Sequence, residues 1–596
     1  MGLKWRRFLV LFLVFGLMLT ITKPYTNSYA SNFITIYWED EKQEIDGFGF
    51  SGADWSHIPY QLQEPERTEV MDLLFNIDDG IGASICRSEI HPEYSPALGE
   101  YDFVNIKPEQ LWYIKEAEAR CVDKQIATAW TPPAFMKTNN SQTHGGYLIE
   151  EYYNDFADLL SEFVVQFEQL HGIDFYAVSM CNEPNASIFL NWNSCSWKGE
   201  QIKTFIKDYM KPAFVAKGID DTKFIIAEPS WWSESLMEPS LNDPVTCDMI
   251  DIVGSHQYQL SPSKFTTAFS KGKKVWQTEV CDPGHFDVGI GEGLRWAKNI
   301  HEFMVDAEAS AYLYWQGVMR EGSEGLICTN SDFTDYVMTK RYYTFGHYSK
   351  FIRPGYVRIG TSDTGISDTY ISAYKNKETG DFTIVAINDT DKIQQFDLLA
   401  DGFSADKLTP YITDDTLDMQ KGSQVPYNDG TYYIALPPKS VVTYVGKENS
   451  NTLTDVEVIE DNLEDWSMVY SKSEGWFLDS SNSEYFEGDL SRASRNSGKN
   501  EELVYYFDGK DINFFEVKLF QYWYFDALSF YASGDNINWI EIPHSSYPKE
   551  WQGSRWYKMV HIPRYIPEGT KYIKVKLTDN STWEKQISKI KFILSE

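Results

Sequence analysis

In two stretches of this sequence a run of β-formers ends on a carboxylate. Phe175-Tyr176-Ala177-Val178-Ser179-Met180 leads into Cys181-Asn182-Glu183-Pro184, and Val275-Trp276-Gln277-Thr278 leads into Glu279. Pro184 cannot donate to a continuing ladder and disfavours helix at the residue before it, so Glu183 is expected at a rim, in an extended or turn conformation. One such glutamate is ordinarily solvated surface. Two of them on separate strands suit the cleavage of a glycosidic bond. That reaction takes one protonated carboxyl to assist the leaving oxygen and one carboxylate to meet the cationic sugar carbon.

Other residues at strand ends fit the same mouth: Arg87, Trp130, His256, Tyr258 and Trp315, with Asn182 beside the acid. An arginine near Glu279 would favour its ionised form, and Tyr258 could donate a hydrogen bond to it. Burial of Glu183 against aromatic rings, with no cation beside it, would keep that carboxyl protonated. Trp130 and Trp315 fit rim or core packing as well as sugar contact. Asn182 fits a simple turn, but beside an acid it is better placed to bind a sugar hydroxyl. The seven cysteines, Cys86, Cys121, Cys181, Cys195, Cys247, Cys281 and Cys328, have no metal-type or redox spacing, and no cofactor or metal is expected. Cys86, Cys181 and Cys281 lie within or beside strand candidates and read as small buried hydrophobes, and a disulfide framework is not expected.

The elements that must position these residues are legible as an alternation of short β-rich runs and helical stretches from Gly47 to about Phe351, the pattern of a parallel α/β sheet. Eight strand candidates lie around Phe48–Ser51, Ala83–Ser88, Ile126–Trp130, Ala177–Cys181, Phe224–Ala227, Ile252–His256, Val275–Thr278 and Ala311–Trp315. Eight strands close a (β/α)8 TIM barrel, and Glu183 and Glu279 then follow the fourth and the seventh, at the end where barrel active sites lie. Between strands, Tyr152 to Leu170 carries apolar residues at helical spacing, and His171-Gly172 is suited to end that helix.

The chain of 596 residues has a formal net charge of -34, which argues against nucleic acid or another polyanion as partner; a neutral or weakly charged polymer is easier to bind. Aromatic residues make up 16%, including 19 Trp, and flat rings pack well on sugar faces. At the N-terminus, Lys4, Arg6 and Arg7 precede an apolar run from Phe8 to Ile21 and a polar exit ending Ser28-Tyr29-Ala30. Residues 1–30 therefore read as a secretory signal, which makes the mature protein extracellular, without a membrane anchor and, as expected here, monomeric. Residues 447–454 are polar and suit a linker that few contacts cross. Residues 455–596 hold many short β-runs separated by Gly, Asn and Asp, a β-sandwich signature. The segment Phe530 to Trp539 looks like part of a galactose-binding-like domain. Aromatics at Tyr522 to Phe525, Trp551, Trp556 and Tyr557 fit a carbohydrate-binding platform or plain packing equally well.

Six motifs in order, Ile45-Asp46-Gly47-Phe48-Gly49-Phe50-Ser51-Gly52, Trp130-Thr131-Pro132-Pro133, Ser179-Met180-Cys181-Asn182-Glu183-Pro184, Gly254-Ser255-His256-Gln257-Tyr258, Trp276-Gln277-Thr278-Glu279 and Phe351-Ile352-Arg353-Pro354-Gly355, together resemble glycoside hydrolase family 30. The resemblance covers roughly residues 33 to 446. It implies Glu183 as acid/base and Glu279 as nucleophile of a retaining enzyme, in a family of endo-xylanases, β-1,6-galactanases, β-1,6-glucanases and glucosylceramidases. It also implies a side β-structure fused to the barrel from residues 31–46 and 354–446. The β-rich runs Thr369–Ala373, Phe382–Asn388, Thr431–Leu436 and Val441–Val445 support this on their own. The expectation is a secreted endo-β-1,4-xylanase acting on xylan-like plant polysaccharide. The alternatives are a β-1,6-galactanase or β-1,6-glucanase and, more remotely, a non-catalytic glycan-binding protein. Glucuronoxylanases of the family carry a Tyr and Arg pair after the eighth strand; here the chain reads Trp315-Gln316-Gly317-Val318-Met319-Arg320-Glu321-Gly322. Arg320 is displaced and has an acidic neighbour, so strict dependence on acidic branches is not expected.

Overall fold

The structure, a computed structural model, describes residues 32–52, 54–120, 122–282, 286–428, 430–449, 457–496, 498, 500–522, 528–549, 556–578 and 582–595. The segment expected to be a signal, most of the expected linker, Cys121, and the platform candidates Trp523, Tyr524, Phe525 and Trp551 lie outside the described residues. After an N-terminal strand β1 (Asn32–Glu44) come β2 (Gly47–Ser51), β3 (Ile85–Glu89), β4 (Lys124–Thr128), β5 (Ala177–Ser179), β6 (Lys223–Ala227), β7 (Ile252–His256), β8 (Lys274–Glu279) and β9 (Ala311–Gln316). Strands β2 to β9 close into one parallel barrel in sequence order, and each coincides with a strand expected from the sequence.

Alternation along the strands sends every second side chain to the barrel axis. Ile85, Ile126, Ala177, Ile225, Ile252, Trp276, Ala311 and Leu313 meet there as one buried cluster, so the interior is a packed core rather than a pore. Trp276 anchors it: its Nε1–H donates to Asp46 Oδ2 at 2.9 Å, and Lys274 Nζ holds the other oxygen at 2.6 Å. Outside the strands, the helix Tyr153–His171 buries Phe156, Leu159, Leu160, Phe163, Val164 and Phe167 on the face read from sequence. It ends at Gly172, whose φ of 72° is the left-handed conformation that glycine reaches without strain.

The side β-structure ties both ends of the barrel into one sheet. Strand β1 pairs parallel with Gln394–Asp401 and antiparallel with Val357–Thr361. The last barrel helix, Lys340–Ser349, is bolted to it by His347, whose ring nitrogens meet Thr443 Oγ1 at 2.8 Å and Thr413 Oγ1 at 2.9 Å. Burial pushes that imidazole down to about 3, so it bridges as the neutral form.

The C-terminal region folds as two facing sheets of seven and five strands around a core that includes Leu503, Phe515, Phe530, Val575 and Phe592. It is not loosely tethered, contrary to what the polar linker suggests. Arg564 of the sandwich reaches Asp414 at 3.2 Å and Asp415 at 2.6 Å on the side sheet, the Ser423 N–H donates to the Ile566 carbonyl at 2.6 Å, and the Tyr433 and Phe514 rings meet at 5.3 Å. The physical reason is local. Asp414 is fully buried and already turns its other oxygen to the Thr416 and Leu417 N–H groups, so its charge needs a cation from across the junction. The six described cysteines are buried and unpaired. Among the described residues no helix is long and apolar enough to cross a membrane.

Because Arg564 is partly exposed while Asp414 is not, Arg564→Ala should destabilise the chain by about 1–3 kcal/mol, the cost of leaving a buried acceptor short of its donor. Urea unfolding of the two proteins measures this, and an unchanged midpoint would show that the junction contributes nothing.

Candidate active site

Strict alternation along β8 would place Thr278 at the axis above Trp276 and turn Glu279 towards the helices. The pairing with β7 steps from Ser255–Gln277 to His256–Glu279, so one extra residue enters β8 at the mouth. Such a bulge re-aims the chain, and Glu279 comes to face the cavity. A second step, between Phe50–Tyr314 and Ser51–Gln316, adds a residue to β9, where Trp315, two positions beyond the inward Leu313, lines the cavity. Glu183 arrives differently: its φ is 48°, left-handed rather than extended. This costs an L-residue about 1–2 kcal/mol. Its N–H is secured on the Glu228 carbonyl at 2.9 Å.

Beneath the two glutamates lies a buried ionic cluster. Arg87, on the inward face of β3, gives Nη1–H to Glu279 Oε2 at 2.7 Å and Nη2–H to Asn182 Oδ1 at 2.6 Å, and its Nε lies 3.2 Å from Glu228 Oε1. The guanidinium also stands 4.5 Å from the Trp130 ring. Tyr258 donates its hydroxyl to Glu279 Oε1 at 2.8 Å, so both oxygens of Glu279 are held. His256 Nδ1 is 3.3 Å from Glu183 Oε1 and 3.7 Å from Glu279 Oε1, with Nε2 at 3.9 Å from Glu228.

The charges follow from these contacts. Burial opposes the His256 cation, but Glu279, Glu183 and Glu228 around it outweigh that and push it up to about 9. Burial likewise opposes ionisation of Glu228, yet Arg87 and His256 hold it at about 2. At Glu279 burial dominates and raises the carboxyl, with Glu183 adding to it, while His256, Arg87 and Tyr258 pull the other way.

Above the cluster a cavity of 670 Å³ opens, lined by Glu183, Glu279, Asn182, Tyr258, Trp130 and Trp315 among others. All eight residues singled out from sequence therefore assemble in one place. Two of them do so in a different capacity: Arg87 and His256, expected to bind substrate, have no exposed surface and do not line the cavity. Their contact with it runs through the carboxylates and the amide they hold. The expectation that no cation stands beside Glu183 is also corrected, since His256 does. Glu228 was not singled out, although Ala227-Glu228-Pro229 repeats the strand-end Glu-Pro of Glu183-Pro184.

Glu183, His256 and Glu279 bring ligand atoms within 4.8 Å of one another, close enough for a metal by spacing alone. The donor set does not suit one, because His256 holds its proton up to about 9 and the Arg87 guanidinium already occupies Glu279.

Comparison with known proteins bears on this geometry. The sequence model of glycosyl hydrolase family 59 matches residues 45–331, the barrel alone. The glucuronoxylanase XynC of Bacillus subtilis is 30% identical over 356 residues, covering 56% of this chain and 78% of that protein. Among solved structures, a glycoside hydrolase family 30 subfamily 8 xylanase from Clostridium acetobutylicum superposes with a TM-score of 0.61 at 30% identity, over 70% of this chain and all of that one. The catalytic domain of a GH30 xylanase C from Talaromyces cellulolyticus gives 0.62 at 29% identity, with the same coverage.

The cluster makes stability depend on pH in a defined direction. His256 is raised from about 6.5 in an unfolded chain to about 9, so its stabilisation is complete below about 6.5 and is lost as pH rises through 9. Unfolding of the wild type and His256→Gln across this range should show a gap that is widest at pH 6 and narrows towards pH 10. A gap that widens with pH would mean the imidazole is buried neutral.

Proposed function

The chain belongs to glycoside hydrolase family 30, and from that premise we propose that it is an exported endo-β-1,4-xylanase that works by double displacement. The observation that carries the mechanism is the separation of the two rim carboxylates, whose nearest oxygens come within 4.8 Å. A retaining pair stands about 5–5.5 Å apart, whereas an inverting pair needs roughly 6.5–9.5 Å to admit a water.

In this reading Glu279 attacks the anomeric carbon while Glu183 gives its proton to the departing glycosidic oxygen. The C–O bond of the substrate breaks as the bond to Glu279 forms. Water then attacks the same carbon, passing a proton back to Glu183 and releasing Glu279. The roles follow from the donors each carboxylate receives. Glu279 is gripped on both oxygens by Arg87 and Tyr258, which suits a group that must stay anionic and aimed. Glu183 has His256 Nδ1 at 3.3 Å as its side-chain partner, which leaves it the more open of the two to meet the departing oxygen. Asn182 spends its oxygen on Arg87 and so has its amide N–H groups to offer a sugar hydroxyl. Trp130 and Trp315, with ring centroids 6.2 Å apart, give the sugar rings an apolar wall.

Unsubstituted xylan backbone fits the cavity wall better than a uronate-bearing one. Among the described residues the lining holds Glu89, Glu183, Glu279 and Glu324 and no Lys or Arg. Arg320, on the outer strand β10 (Val318–Arg320), is exposed and stacks its guanidinium 5.0 Å from the Phe333 ring, outside that lining.

Glu279→Ala should lose cleavage of every substrate by at least about 10⁴-fold, since nothing else can capture the glycosyl cation. Glu183→Ala should lose xylan cleavage yet still release an activated aryl leaving group, whose departure needs no proton. Equal losses for both variants on the aryl glycoside would refute the role assignment. Product analysis on xylan, β-1,6-galactan and β-1,6-glucan decides the substrate, with xylooligosaccharides the expected products.

A further inference from the structure

Two carboxylates in the cavity wall have no part in the reaction just described. Glu89 is the more closely constrained. Along β3 the inward positions are Ile85, in the core cluster at the barrel axis, then Arg87, which grips Glu279, then Glu89, one layer nearer the mouth and lining the cavity. Only 2% of Glu89 is exposed, so its orientation is set by its neighbours.

Those neighbours fix it tightly. Asn193, on the loop after Glu183, donates Nδ2–H to Glu89 Oε1 at 3.0 Å, and His91 Nδ1 stands 3.5 Å from the same oxygen. Gln110 clamps the backbone: its Oε1 accepts the Glu89 N–H at 3.3 Å and its Nε2 donates to the Glu89 carbonyl at 2.9 Å. That amide orientation also orders the imidazole, because His91 Nε2 lies 3.2 Å from Gln110 Oε1 and must donate to it. Both side-chain contacts fall on Oε1, which leaves Oε2 as the acceptor offered to the cavity. Glu324, with 7% exposure, adds a second fixed carboxylate to the same wall.

We propose that Glu89 is a specificity-determining residue: it accepts a hydrogen bond from a hydroxyl of the bound sugar chain and, with Glu324, excludes chains that carry an anionic substituent there. A carboxylate held in a low-dielectric wall binds a neutral hydroxyl with a charge-assisted bond. The same wall focuses its field against an anion, and among the described residues no lysine or arginine lines it. The proposal rests on the reading of the substrate as β-1,4-xylan.

Glu89→Gln removes the charge at constant volume, and Glu89→Asp keeps the charge on a shorter arm. Steady-state kinetics of both variants and the wild type are measured on unsubstituted xylan and on glucuronoxylan of the same backbone, with thermal unfolding as a check on folding. For Glu89→Gln, kcat/KM on the unsubstituted chain should fall about tenfold, mainly through KM, as expected for a lost bond to a charged acceptor. On the uronate-bearing chain it should hold or rise, so the preference between the two shifts by about tenfold or more. Glu89→Asp should bind less well but retain the wild-type preference. A merely structural role would lower both substrates together, and an unchanged ratio in Glu89→Gln overturns the proposal. If the wild type cleaves neither xylan, the substrate reading fails first and this proposal with it; wild-type cleavage with an unchanged ratio sinks the role of Glu89 alone.

Discussion

A guanidinium with no solvent contact must be neutralised where it stands, and the mouth of this barrel is organised around meeting that demand at Arg87. It donates to Glu279 and Asn182, pairs its Nε with Glu228 at 3.2 Å, and is covered by the Trp130 ring. With His256 it makes two cations facing three carboxylates, Glu183, Glu228 and Glu279. A buried set of that composition becomes neutral by holding one further proton. Glu228 is pinned as the anion at about 2, so the proton is left to the pair that faces the cavity, which is the proton an acid catalyst must carry. In the proposed reading the ionic cluster orients Glu279 as the nucleophile and leaves Glu183 to act as acid/base.

Such a cluster works only if its members cannot drift, and the scaffold supplies that rigidity from several sides. The packed axis below, anchored by Trp276 on Asp46, sets the height of the inward residues on each strand. The bulge on β8 then turns Glu279 into the mouth. The side sheet fastens the first and last parts of the barrel together, and the sandwich is fastened in turn to the side sheet through Arg564 and Asp414. The two glutamates are therefore held by a scaffold whose parts are packed and bonded to one another.

Much of this was legible in the sequence because it follows from short-range rules. Short β-rich runs alternating with helical stretches mark the eight strands, helical spacing with a terminal glycine marks Tyr153–His171, and Glu-Pro marks a strand end. The six residues accompanying Glu183 and Glu279 were found because each falls at the same end of a strand. What was not legible depends on register and on partners distant in the chain. The extra residue in β8 is invisible without its pairing to β7. Arg87 and His256 read as substrate ligands because sequence does not show that three carboxylates would enclose them. Glu228 lacked a role until Arg87 was seen to need a counter-charge, and Glu89 lacked one until its alternation with Arg87 was fixed by the barrel axis. The docking of the sandwich rests on residues 150 positions apart, Asp414 and Arg564, beyond what a linker composition conveys.

The central claim is that Glu279 forms a covalent bond to the sugar. Incubation with an activated 2-deoxy-2-fluoro xyloside slows the second step more than the first, and mass spectrometry then reads the protein directly. The account predicts a mass increase of one fluoroglycosyl unit per chain, located by peptide mapping on Glu279 and absent from Glu279→Ala. An adduct on another residue, or no adduct with products of inverted anomeric configuration, would contradict it.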